Sequence, residues 1–232
     1  MRSVPWITLY VGIFIAGGYV LGSVVRWRLW SAPSLRPAAR LDLDRPLDDD
    51  AGRLDPGVIM AAIETVAAVG WSLFVLWVTD RLAPGTTTFR DSSAVGFLAS
   101  QSLTAWESAS LWSGLAVVVG IAFPPPVRVD RGRSGVAPTA GLLLFHLPIA
   151  LFVAAGAFFG AQLVRGRQRW SHTVALLALP VAEWTASMLQ VRSVWGFVHG
   201  PETALWMVGV AGVLAARRGR STWQQNESIG LP

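Results

Sequence analysis

Long apolar runs alternate with short Arg-rich stretches along this chain. The first run covers about Pro5 to Val25 and ends at Arg26, Trp27, Arg28 and Trp30, where indole and guanidinium suit a lipid headgroup layer. A mixed stretch from Ser31 to Pro56 follows, carrying Arg36, Arg40, Arg45 and Arg53 among Asp42, Asp44, Asp48, Asp49, Asp50 and Asp55. The second run spans Gly57 to Thr79 and ends at Asp80 and Arg81. The third resumes near Ala94, passes Trp106, Glu107 and Ser108, and reaches Phe123. Pro124, Pro125 and Pro126 must end it, because proline has no donor N–H to continue a helix. Thr139 to Val164 is apolar again and broken at Pro148. Thr173 to Leu189 contains Pro180 and Glu183, and the last run covers Thr203 to Ala216. A spanning helix needs ~20 mostly apolar residues, which several of these runs supply.

Arginine clusters lie at 26–53, 128–133, 165–169 and 217–220. The positive-inside bias puts all four on the cytoplasmic side, so two crossings must separate each cluster from the next. Only Thr139 to Val164 lies between the second and third clusters, so that segment must cross twice or re-enter, and Pro148 sits where the break is needed. The pattern predicts an all-α, polytopic membrane helical bundle with seven transmembrane helices, one of them short or re-entrant before Pro148. A six-helix arrangement is the alternative. Residues 1–220 form a single transmembrane domain with a cytoplasmic loop over 28–56, and residues 221–232 form a disordered cytoplasmic tail. The N-terminus is expected outside and the C-terminus in the cytoplasm of a bacterial cell, as a multi-pass plasma-membrane protein.

Composition agrees. Hydrophobic residues make up 53% of the 232 and charged residues only 14%, against roughly 25% charged in a soluble domain. Trp6 to Trp27 is too long for a signal-peptide core and reads as the first span. The net charge of +5 comes from arginine alone, since the chain has no lysine. These arginines sit in short connections, which reads as topology signal and membrane-lipid contact rather than nucleic-acid binding. There are no cysteines, which removes disulfides and thiolate metal sites. No histidine has metal-ligand spacing, and neither a metal nor a cofactor is implied. The pattern indicates no particular protein partner.

The strongest local pattern is Gly120, Phe123 and Pro124, a basic loop with Arg128, Arg131, Gly132, Arg133 and Ser134, then Gly135, Gly141 and Pro148. This describes a helix end, a cationic loop and a helix start. Backbone N–H groups at a helix start bind anions, and guanidinium forks suit phosphate. The plainer reading is a basic connection that only sets topology.

On these residues the chain resembles the bacterial acyl-phosphate:glycerol-3-phosphate acyltransferases, the PlsY family. Matching positions include Gly22 and Ser23, Asp55 to Gly57, Asp80, Gly114 to Pro124, Gly135 to Ala137, Gly141, Pro148 and Arg169 to Ser171. The resemblance implies a seven-helix protein that transfers an acyl group from acyl-phosphate to glycerol 3-phosphate, giving lysophosphatidic acid. It implies Arg133 and Ser134, where the family lysine falls, as catalytic residues. It implies Asp55, Gly57, Arg128, Arg131, Gly132, Gly135 and Arg169 as phosphate-binding. The chain departs from the family at Ile121, where the family has histidine, and at Arg217, Arg218, Gly219 and Arg220, where it has an acidic, Asn-containing motif. The alternative function is a non-catalytic homologue that binds lipid or a partner protein; a transporter fits less well, for lack of paired broken helices in matching halves.

Glu64, Glu107 and Glu183 lie in or beside apolar runs, where carboxylates are costly and must face inward. They read as functional groups or as structural carboxylates that are protonated or paired with arginine. His146 reads as a packing residue, and His172 and His199 as interfacial loop residues. A topology reporter fused after Arg169 is expected to give the cytoplasmic signal; a periplasmic signal there rejects the seven-crossing arrangement.

Overall fold

The computed structural model describes residues 4–31, 56–82, 105–125, 135–165, 168–189, 191, 195–197 and 199–229. Among these residues there are seven helices and no strand. They are α1 (Val4–Ser31), α2 (Pro56–Leu82), α3 (Ala105–Ala122), α4 (Val136–His146), α5 (Pro148–Arg165), α6 (Gln168–Met188) and α7 (Pro201–Ile229). The chain is a helical membrane bundle of the expected class. Helices α1 and α2 are each long and apolar enough to cross a membrane, while α3, α4 and α5 contain shorter apolar segments.

The radial distribution of side chains is that of a lipid-immersed bundle. Leu9, Ile13, Val20, Val66, Trp77, Phe152, Phe159 and Leu163 are exposed, whereas Arg26, Glu64, Ser72, Ser110, Glu183 and Arg217 are buried. A water-soluble domain hides the first set and displays the second. In hydrocarbon, polar groups find partners only inside.

Helix directions follow from the contacts. Gly18 lies against Ser113 and Gly22 against Val117, so α1 and α3 run parallel. Gly141 packs on Thr65 and Val69, and His146 reaches Ser72, so α4 runs parallel to α2. Arg26 meets Glu64 while Trp71 donates to Phe14 O, so α2 runs antiparallel to α1. Trp206 Nε1 donates to Leu111 O at 2.9 Å and Gly209 packs on Leu115, so α7 runs parallel to α3. One end of the bundle therefore collects the ends of α1, α3 and α7 and the starts of α2 and α4. This is the end where the sequence carries arginine.

Small residues permit the tightest of these contacts. A Cβ on Gly22 would collide with the Val117 carbonyl, and one on Gly120 with the Tyr19 carbonyl. Close backbone approach is how membrane helices associate when no hydrophobic driving force exists between them. The core fills the space between, with Val117, Val118, Ile121, Leu142, Leu147, Trp206 and Met207 fully enclosed.

The expected break is present. Leu147 closes α4 with φ −143° and ψ 63°, and Pro148 opens α5. Proline is favoured there because the first helical N–H needs no partner. At 11 residues, α4 is ~16 Å long and crosses only part of a bilayer. At the C-terminal side, α7 runs from Pro201 to Ile229. Ser221 to Ile229 contains neither proline nor glycine to interrupt it.

Gly22→Leu is expected to lower stability by about 1–3 kcal/mol or more through overpacking of α1 on α3. Gly156→Leu, where an added Cβ meets nothing within 4 Å, is expected to change it by less than about 0.5 kcal/mol. Thermal unfolding in detergent ranks the two, and equal midpoints would remove the glycine contact as a determinant of packing.

Candidate functional site at the Arg-rich end

Tyr19, Ser23 and Arg26 fall on one face of α1, spaced by four and three residues. Each points into the Arg-rich end. Tyr19 Oη donates to Phe123 O at the end of α3, at 3.3 Å. The Ser23 hydroxyl is buried with no hydrogen-bond partner among the described residues. Arg26 Nη1 donates to Glu64 Oε1 of α2 at 2.9 Å, and both side chains are nearly inaccessible. Arg217 of α7 is also buried and lies within electrostatic range of the Glu64 carboxylate. The pair joins α1 to α2, and Arg217 brings a second guanidinium from α7 into the field of the same carboxylate.

Helix ends reinforce the charge pattern. Arg26 and Arg217 sit near the C-terminal portions of α1 and α7 at this end, where backbone carbonyls favour cations. The starts of α2 and α4 bring backbone N–H groups to the same end, which favours anions. Gly57 lies in the exposed first turn of α2. Gly135 precedes α4 with φ 103°, a left-handed conformation that an L side chain adopts at a cost. Its carbonyl accepts from Thr139 Oγ1 at 2.5 Å and from Thr139 N at 3.2 Å. It packs against Val118 and Ala122 of α3 and Leu214 of α7. The glycine therefore aims the start of α4 at the point where α3 and α7 end.

Of the residues expected from sequence, the structure brings Gly57 and Gly135 to this one end. Arg169 lies in the first turn of α6 rather than in a connection. Asp55, Arg128, Arg131, Gly132, Arg133 and Ser134 lie outside the described residues; the last five belong to the connection between α3 and α4. Ile121, at the position of the family histidine, is completely buried in the apolar core and is a packing residue here.

A family model described as Glycerol-3-phosphate acyltransferase matches residues 85–222, more than half of the chain. The chain belongs to this family, the PlsY acyltransferases. No curated protein and no solved structure gives a significant match. The matched span contains α3 to α6, most of α7 and the whole Arg128–Gly135 loop, whereas Arg26 and Glu64 lie upstream of it.

Sequence reasoning placed Arg26 in the headgroup layer and Arg217 at the end of a span, and so missed their burial. The available signal was the spacing of Tyr19, Ser23 and Arg26, read together with a carboxylate inside the second span. A second buried group was also missed. His199 is buried, not interfacial; its Nδ1 is 2.9 Å from Glu183 Oε1, which also accepts from Thr203 Oγ1 at 2.5 Å. That cluster joins α6 to the start of α7, at the end opposite the arginines. His146 is a packing residue as expected, stacked on Phe197 and 2.8 Å from Ser72 Oγ.

Breaking the Arg26–Glu64 pair from one side leaves the other charge buried. Glu64→Leu alone is expected to cost about 3–5 kcal/mol, and Arg26→Met with Glu64→Leu together much less. A double-mutant cycle on thermal stability checks this; purely additive losses would mean that the pair is not coupled.

Proposed function

We propose that this chain transfers an acyl group from acyl-phosphate to the 1-hydroxyl of glycerol 3-phosphate, in the membrane phase of phospholipid synthesis. The acyl–phosphate C–O bond breaks, the ester bond to the hydroxyl oxygen forms, and the hydroxyl proton leaves with inorganic phosphate. The observation that carries this reading is the convergence at one end of Gly57, Gly135 and the Arg26–Glu64–Arg217 group. Both substrates carry phosphate, and a concentration of guanidinium and helix-start N–H groups is what phosphate requires. Membership of the acyltransferase family supports the same reading.

On this reading Arg133 takes the charge role of the family lysine, with Ser134 beside it. Asp55, Gly57, Arg128, Arg131, Gly132, Gly135 and Arg169 hold phosphate. The protein is a single multi-pass domain of the plasma membrane, with its N-terminus outside and its Arg-rich end in the cytoplasm, where both substrates are found. Arginine does not deprotonate near neutral pH, so it contributes positioning and electrostatic stabilisation rather than proton transfer.

One observation favours a second reading. Ile121 fills the histidine position with an apolar side chain sealed in the core, so no general acid or base stands there. A homologue that binds lipid without turning it over fits that substitution.

Acyl transfer from palmitoyl phosphate to labelled glycerol 3-phosphate by the purified protein separates the two, with an active family enzyme run in parallel. Arg133→Ala is expected to lower turnover by about 100-fold or more, as for loss of one preorganised charge-stabilising group. Absence of wild-type turnover with an active control transfers the case to lipid binding alone.

A further inference from the structure

The break after α4 deprives two of its carbonyls of partners along the helix. Leu144 O would ordinarily accept from the N–H of residue 148, and Pro148 has none. His146 O loses its helical partner because Leu147 leaves helical geometry. In hydrocarbon such groups must be satisfied from inside the protein. The connection between α6 and α7 supplies both donors. Trp195 Nε1 donates to Leu144 O at 2.9 Å, and Phe197 N donates to His146 O at 2.7 Å. Gly196, between them, has φ 103° and lies so close that a Cβ would collide with His146 O. The His146 ring is held as well, stacked on Phe197 at 4.8 Å between centroids and 2.8 Å from Ser72 Oγ. The segment is anchored in turn just beyond Phe197. There His199 Nδ1 lies 2.9 Å from Glu183 Oε1 of α6, and Gly200 N donates to Thr203 Oγ1 of α7 at 2.8 Å.

We propose that residues 195–197 form a strap that sets how far α4 reaches toward the Arg-rich end, so that Trp195, Gly196 and Phe197 are positioning residues for acyl transfer. The inference rests on the acyl-transfer reading of that end and extends it to residues at the other end of α4. Carbonyls of the last helical turn point along the helix axis, so donors fixed there hold the helix lengthwise. Gly141, packed on Thr65 and Val69, sets the distance of α4 from α2; the strap sets its depth. With 11 residues, ~16 Å, α4 is short enough to pass a displacement at His146 on to Gly135. Gly135 packs against Val118 and Ala122 of α3 and Leu214 of α7. The backbone N–H groups that follow it are those offered to phosphate. The buried Glu183–His199–Thr203 cluster thereby gains a task, which is to fix the strap to α6 and α7.

The test uses the full-length protein in nanodiscs with saturating palmitoyl phosphate. Trp195→Phe keeps an aromatic ring and removes the donor; Gly196→Ala forces the strap away from His146 O. Both are expected to lower kcat/KM for glycerol 3-phosphate about 10- to 100-fold, chiefly by raising KM, as a misplacement of about 1 Å does. Val75→Ala, in the separate apolar cluster with Phe14 and Ala109, is expected to lower the melting midpoint and leave KM unchanged, because a smaller folded fraction reduces kcat alone. The chain has no cysteine. Val58→Cys with Val136→Cys, at exposed positions in the first turns of α2 and α4, therefore takes spin labels at those two sites only. The label-to-label distance is expected to be narrowly distributed in this parent and to shift or broaden on adding Trp195→Phe or Gly196→Ala. An unchanged distance overturns the strap, and so does a changed distance with unchanged KM in an active protein. Failure of wild-type turnover sinks the acyl-transfer reading, while the label distances still decide whether the strap positions α4.

Discussion

The closeness of α1 to α3 sets the geometry of the whole Arg-rich end. Gly18, Gly22 and Gly120 bring two backbones into contact, and nothing larger fits between them. Because the two helices run parallel, the contact fixes their register as well as their separation. It places Tyr19 beneath Phe123 O and presents Ser23 and Arg26 to the interior instead of to lipid. A buried guanidinium then requires an anion within reach, and Glu64 on α2 supplies it. Backbone proximity thus decides where charge can be tolerated, and the charge pair decides where α2 must stand.

The two ends of the bundle meet the same requirement by different means. At the Arg-rich end, Arg26 and Arg217 share the neighbourhood of one carboxylate, and helix starts contribute donors. At the opposite end Glu183 Oε1 is engaged by His199 and Thr203, which also ties the start of α7 to α6. Between them Ser72, Ser110 and His146 form a small hydrogen-bonded network. Charge is concentrated at the ends and the middle is nearly neutral, as the cost of burying ions in hydrocarbon demands.

Several of these features could be read directly from the chain. The spacing of arginine clusters required a reversal between Thr139 and Val164, and Leu147 and Pro148 provide it. The triple proline after Phe123 stopped α3, and Gly135 marked the turn into α4. These signals are local, carried by residues with unusual backbone preferences. The pairing of Arg26 with Glu64 joins residues 38 apart, and that of His199 with Glu183 joins residues 16 apart. Both depend on which helices are neighbours, which no single segment encodes. An arginine at a span end looks the same in sequence whether it faces headgroups or a buried carboxylate.

Ile121 shows what chemistry remains available at the Arg-rich end. The side chain belongs with Val117, Val118 and Leu142 to the main apolar core, so the position offers packing and no titratable group. With no lysine in the chain, the cationic groups there are guanidinium groups, which hold charge but do not exchange protons near neutral pH. An acyl-phosphate is already activated, because phosphate departs readily from a mixed anhydride. On the proposed reading, the protein's task is therefore to hold two anionic substrates close together, against their mutual repulsion, with the hydroxyl aligned on the acyl carbon. Proximity and fixed charge accomplish that without a titrating side chain. The demand then falls on rigidity, and rigidity is what the glycine contacts, the left-handed turn at Gly135 and the buried Arg26–Glu64 pair provide.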